Sequence, residues 1–270
     1  MKQRWLALVL TAFCAPALFA QVALPTCPAP VCAPRLPDAT RGMEVKYVRD
    51  SAEYATLCRL TYRIARTAVT TTVKDTNPAD GKWGVILDID ETTLDNSQYQ
   101  LERGVYGLGF EEASWADWVQ RHAAGTVPGV KDFVKAVRAI HGKVIFISDR
   151  YNEYVALDGS KLDLATATRD NLEANDLFVT GDLLCLKTNA NDTKASRRKS
   201  VVTGSGVCST GAPLQIVAFV GDQMGDFPQK GEPFTDAGID QAFGKSFFLL
   251  PQPMYGKWTN AVTRTGGAFQ

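Results

Sequence analysis

Uninterrupted apolar runs punctuate the chain, and each ends abruptly in polar residues. Val85-Ile86-Leu87 leads a strand over residues 83 to 88, Val144-Ile145-Phe146-Ile147 makes a second, and further strands are expected near residues 183 to 186, 215 to 220 and 246 to 250. Runs without polar alternation suit a parallel sheet covered on both faces. Between them the period changes to that of helices. Asp50 with Glu53 offers a capping box, after which Tyr54, Leu57, Thr61, Ile64 and Ala68 fall on one face. Pro128-Gly129 opens another helix with Val130, Phe133, Val134, Val137 and Ile140 as its buried stripe and Gly142 as its stop. A third is expected around residues 166 to 175. Strands alternating with helices predict an α/β fold, a Rossmann-like parallel sheet flanked by helices. Residues 95 to 127 are too long for a simple connection and concentrate Tyr99, Tyr106, Phe110, Trp115 and Trp118. They predict a small helical cap inserted after the first strand.

The strand ends carry the chemistry. The first runs into Asp88-Ile89-Asp90-Glu91-Thr92, the second into Ser148-Asp149-Arg150, and that at 215 to 220 into Gly221-Asp222-Gln223-Met224-Gly225-Asp226. In an open parallel sheet these ends share one edge, where ligands bind. Paired carboxylates repel and are costly to desolvate, so a hard divalent cation such as Mg²⁺ suits them. A hydroxyl and a guanidinium suit an oxyanion. The basic stretch Lys194-Ala195-Ser196-Arg197-Arg198-Lys199 reads as a helix start, with Arg198 and Lys199 solvated. Residues 203 to 213 read as a surface loop.

Composition narrows the partners. The 270 residues are 45% hydrophobic and 21% charged with zero net charge, so the basic footprint of a nucleic-acid binder is missing. Two histidines, His122 and His141, exclude a multi-histidine zinc site; His122 is expected on a surface helix. Residues 1–20 have the basic start, apolar centre and small residue (Ala20) of an export signal, too short to span a membrane. Residues 21–43 are a Pro-rich arm. Cys14 follows Phe13 inside the apolar centre, which argues against lipidation, so the protein is expected to be periplasmic or secreted. Five cysteines remain after residue 20; Cys185–Cys208 is the expected pair and Cys27–Cys32 a second, although spacing does not fix connectivity.

These residues, taken together, resemble the haloacid dehalogenase superfamily of phosphatases, and within it the class C bacterial acid phosphatases. The resemblance covers roughly residues 46 to 260 and rests on Asp88-Ile89-Asp90-Glu91-Thr92, Pro128-Gly129, Ser148-Asp149-Arg150, Lys194 before Arg197-Arg198, Gly221-Asp222 with Asp226-Phe227, and Pro253-Met254-Tyr255-Gly256. It implies one phosphatase domain over residues 44–270 and hydrolysis of small phosphate monoesters, nucleoside monophosphates among them, at acid pH. Asp88 would be the nucleophile forming an aspartyl-phosphate, and Asp90 the general acid and base. Asp88, Asp222 and the main-chain carbonyl of Asp90 would hold Mg²⁺, with Asp226 behind them. Ser148 and Lys194, assisted by Thr92, would bind the phosphoryl oxygens, with Lys187 a lesser candidate. Trp115, Trp118, Tyr255 and Arg150 would face the rest of the substrate. A homodimer is left open. Asp149 stands where Asn is usual, which would place an extra negative charge beside the phosphate. A phosphotransferase would use the same groups, and a non-catalytic surface or storage protein would keep only the scaffold.

Overall fold

Ser51 separates two helices where the sequence pattern suggested one start at Asp50. The computed structural model describes residues 42–229, Glu232 and residues 239–260. The expected signal, the arm up to residue 41 and the Cys27–Cys32 pair lie outside them. α1 (Met43–Asp50) stops at Ser51, whose extended backbone and side chain, accepting from the Tyr54 N–H at 3.0 Å, start α2 (Ala52–Thr76). The buried face of α2 is Tyr54, Cys58, Tyr62, Ala65 and Val69, whereas Leu57 and Ile64 are 43% exposed. Apolar residues lie on two adjoining faces of this helix. The tyrosines settle which face turns inward, because the Tyr62 hydroxyl donates to the buried carbonyl of Thr92 at 2.6 Å.

The chain then enters β1 (Trp83–Leu87) and the cap, made of β2 (Leu94–Asp95), α3 (Ser97–Val105), α4 (Glu112–Gln120) and β3 (Gly125–Thr126). It continues through α5 (Val130–Ala139), β4 (Lys143–Tyr151) and a hairpin of β5 (Glu153–Val155) and β6 (Lys161–Asp163). Next come α6 (Leu164–Ala174), β7 (Leu183–Lys187), α7 (Lys194–Thr203), β8 (Gln215–Gly221), α8 (Ile239–Ala242) and β9 (Phe247–Leu249). Five strands form one parallel sheet in the order β7-β4-β1-β8-β9. β2 and β3 pair antiparallel through Leu94–Thr126 and Asp95–Gly125, so the cap leaves and returns through a two-residue ladder. His122 follows the end of α4 in an exposed turn with φ 50°.

Both faces of the sheet are covered, as the apolar runs require. All of β1 is buried. Val85 and Leu87 join a core with Tyr62 of α2 and Phe133 of α5. Ile86, pointing the other way, joins a second core with Val201 of α7, Phe219 and Phe247. The expectation that Arg198 is solvated is overturned. It is 2% exposed, its fork holding Glu232 and its Nη1 donating to the carbonyls of Gly225 and Asp226. Those partners lie far along the chain, out of reach of any local pattern. Lys199 is exposed, as expected.

The expected pair Cys185–Cys208 is a disulfide joining β7 to the loop after α7, across 23 residues of sequence. Cys58 is a buried free thiol. Closing a loop of that length stabilises by about 3 kcal/mol on chain-entropy grounds. Reductant, or Cys208→Ser, should therefore lower the melting temperature by several degrees; an unchanged melting curve would mean the loop is held entirely by its packing. Among the described residues no helix is long and apolar enough to cross a membrane.

Candidate active site

β1, β4 and β8 deliver their polar ends to one edge. Asp88 stays in register with β8, its N–H donating to the Val220 carbonyl at 3.0 Å. The chain then folds back tightly. Glu91 adopts φ 55°, the N–H groups of Thr93 and Leu94 both reach the Ile89 carbonyl at 2.8 Å, and the Thr93 hydroxyl donates to the Asp88 carbonyl at 2.6 Å.

That turn gives the two aspartates different partners although both line one cavity. On one side Asp88, Asp222 and Asp226 bring carboxylate oxygens within 4.8 Å of one another, all buried. Lys194 Nζ sits among them, 2.6 Å from Asp88 Oδ1 and 2.6 Å from Asp226 Oδ1. The Thr92 hydroxyl donates to Asp222 Oδ1 at 3.0 Å, while Asp222 Oδ2 is buried without a hydrogen-bond partner. Gly221 permits this crowding, since a Cβ there would lie 2.4 Å from Asp226 Oδ2. On the other side Asp90 is gripped by Arg150, whose Nη2 and Nε reach Oδ1 at 2.6 and 2.9 Å. Asn96 also donates to Oδ1, at 2.9 Å, and the Ser148 hydroxyl to Oδ2 at 3.2 Å. Arg150 Nε reaches Oδ2 as well, at 3.2 Å, so Oδ1 takes the shorter bonds and Oδ2 is the more loosely held oxygen.

Charge crowding marks the Asp88 side. Burial, with the charges of Asp226 and Asp222, raises the Asp88 carboxyl well above the usual range, and Lys194 opposes the shift. Asp222 is raised by burial, Asp226 and Glu91. Lys194 is held protonated by Asp88 and Asp226 against its own burial. Three carboxylates against one ammonium leave two negative charges at full ionisation. The unpartnered Asp222 Oδ2 and an all-oxygen donor set therefore fit a hard divalent cation held by Asp88, Asp222 and Asp226.

Glu91, beneath the turn, was not expected to matter. It is 1% exposed, accepts from the Asn96 N–H at 2.9 Å and takes the Tyr255 hydroxyl. Burial first, then Asp90, push it up to about 8, while the Tyr255 bond opposes the shift. A raised carboxyl keeps its proton in the fold and loses it in the unfolded chain, so it erodes stability as pH rises from about 4.5 to about 8. Glu91→Gln should therefore gain in melting temperature on its parent across that window. A difference that stays constant with pH would contradict the assignment.

The site residues expected from sequence divide in three. Asp88, Asp90, Ser148, Lys194 and Asp226 line one cavity of about 760 Å³, with Asp222 beneath it. Trp115, Tyr255 and Arg150 also line it, but the Arg150 fork is occupied by Asp90 while its guanidinium lies 5.3 Å over the Trp115 ring. Thr92 and Trp118 are turned elsewhere. Thr92 is fully buried on Asp222, and Trp118 is 2% exposed, its indole N–H donating to Asn96 Oδ1 at 2.8 Å. Trp118 thus braces the loop from inside and offers no stacking face. Phe110, 62% exposed, lines the cavity beside Trp115.

Known proteins resemble the chain in sequence and in fold. Residues 35–258 match the family described as HAD superfamily, subfamily IIIB (acid phosphatase). The fold is similar to the class C acid phosphatase from Bacillus anthracis, with TM-score 0.65 and 25% identity, covering 80% of this chain and 85% of that one. The same enzyme with tungstate bound matches with TM-score 0.64, 25% identity and the same coverage. The stem 31 kDa glycoprotein of Glycine max is 25% identical over 173 residues, 63% of this chain; the chain spans 58% of that relative's length. The family match takes in the sheet, the cap and every carboxylate of the cavity, and the chain belongs to subfamily IIIB of the HAD superfamily, the acid phosphatases.

Proposed function

We propose that the protein is an exported, Mg²⁺-dependent acid phosphatase acting on phosphate monoesters through an aspartyl-phosphate. The observation that carries this reading is the juxtaposition of Asp88, Lys194 and the Asp222–Asp226 pair on one edge of the sheet, with Asp90 separately anchored across the same cavity. Asp88 attacks phosphorus, the ester oxygen departs, and Asp90 Oδ2 supplies its proton; water, deprotonated by Asp90, then cleaves the acyl phosphate. Ser148 and Lys194 hold the phosphoryl oxygens, and Arg150 keeps Asp90 aimed. Mg²⁺, when bound by the carboxylates, offsets their charge and that of the transferring group.

The aromatic wall of Phe110, Trp115 and Tyr255 favours a planar leaving group, which makes nucleoside monophosphates the substrates of choice. Export rests on the pattern of residues 1–20 and agrees with a disulfide, which persists in oxidising compartments. The test is turnover of an aryl phosphate beside a panel of nucleoside monophosphates and sugar phosphates. Equal release of alcohol and phosphate supports hydrolysis. Excess alcohol over phosphate when an acceptor alcohol is added would indicate transfer instead, and no turnover with any ester would end the assignment.

A further inference from the structure

Arg197 has no part in the chemistry above, yet it is 3% exposed and its whole fork is engaged. Nη1 donates to the main-chain carbonyl of Ser148 and, at 3.1 Å, to that of Cys185. Nη2 donates to Asp149 Oδ1 at 2.7 Å. Nε donates to Asp192 Oδ1 at 3.0 Å and to the Thr193 carbonyl at 3.3 Å. The first three acceptors lie on β4 and β7. The last two belong to the segment that caps α7, through the Thr193 side chain and the Ser196 N–H, immediately before Lys194. One planar, rigid group therefore fastens the strand bearing Ser148 to the helix start bearing Lys194.

We propose that Arg197 is the positioning residue that sets Ser148 and Lys194 at the spacing needed to grip one phosphoryl group. The inference rests on the phosphatase reading and assigns that site a part it lacked. It also gives Asp149 a role. Its carboxylate is paired with the same fork, so it adds a hold on the clasp and does not stand as a free charge beside the phosphate site. Asp192, whose carboxyl is held low against burial by hydrogen bonds from Thr188 and by the Arg197 charge, serves the same fork from the other side.

The test compares the full chain with Arg197→Lys, Arg197→Met, Ser148→Ala and the Ser148→Ala/Arg197→Lys double variant in Mg²⁺, using an aryl phosphate. The readouts are kcat, KM and the inhibition constant of inorganic phosphate, with melting curves to correct for folded fraction. Arg197→Lys, which keeps charge and one donor if Arg197→Met does not fold, should raise the phosphate inhibition constant about tenfold in folded protein. Ser148→Ala should weaken phosphate in the parent and add little in the Lys background. Activity that falls only with folded fraction, with phosphate inhibition unchanged, or fully additive effects of the two substitutions, overturns the proposal. A parent that hydrolyses no ester removes the phosphatase reading itself, a result distinct from an active parent with an indifferent Arg197 variant.

Discussion

Asp88→Asn should lower kcat for an aryl phosphate by about 10⁴-fold or more, because an amide neither attacks phosphorus nor forms the acyl phosphate. The fold should survive. Asp88 is buried among like charges that already raise its carboxyl, so removing the charge relieves crowding, and Lys194 keeps Asp226 as a partner. The metal-free variant should melt at or above the parent's temperature at neutral pH. Retention of more than about a hundredth of the turnover would show that another group is the nucleophile. Asp90→Asn should behave differently. Release of the alcohol in the first turnover should fall little with an aryl ester, whose phenolate leaves unaided, and much with an alkyl ester, which needs the proton, while steady-state turnover falls on both because Asp90 also activates the water. Equal losses of first-turnover release on both esters would remove Asp90 as the acid.

Removing divalent cations with a chelator should abolish turnover, and Mg²⁺ should restore it. Its effect on stability should depend on pH. Asp88 and Asp222 are raised in the metal-free fold, so the native state holds protons that the unfolded chain has lost above about pH 4. Metal-free stability therefore falls as pH rises from there. A cation bound at a hundred times its dissociation constant returns about 2.7 kcal/mol, several degrees for a domain of this size. The Mg²⁺-induced rise in melting temperature should be larger at pH 7.5 than at pH 5. The opposite order would mean that the carboxylates are not gathered at one ion.

Sequence carried much of this because the site is made at strand ends. An apolar run followed by acid, repeated on strands that share a sheet, needs no distant information, and the sheet order places β1 between β4 and β8. What escaped was set by packing across the chain. Leu57 and Ile64 satisfy helical periodicity as well as Cys58 and Ala65 do, and only the fit of Tyr54 and Tyr62 against the core selects the latter pair. Arg198 looked solvated because charge usually is, and its partners Gly225, Asp226 and Glu232 are brought to it by the turn after β8. Trp118 looked like a stacking platform because aromatics gather in the cap. Its indole instead satisfies Asn96, a buried amide whose need for a partner the spacing does not reveal. Glu91 was visible as a letter in the first motif, but its burial and its bond to Tyr255 depend on a segment 164 residues away.

The neck of the cap has a consequence for divergence. Because the inserted segment departs and rejoins through Leu94–Thr126 and Asp95–Gly125, it is a cassette clipped at a single point. Lengthening or exchanging residues between those clips leaves the strand order untouched, and the acidic edge too as long as Asn96, which holds Asp90, and Trp118, which holds Asn96, are kept. The cost falls on the cassette's own seating against α1 and α6. A lineage could thus retune which leaving groups it admits, including through Phe110 and Trp115, while the machinery that breaks the phosphate bond is inherited unchanged.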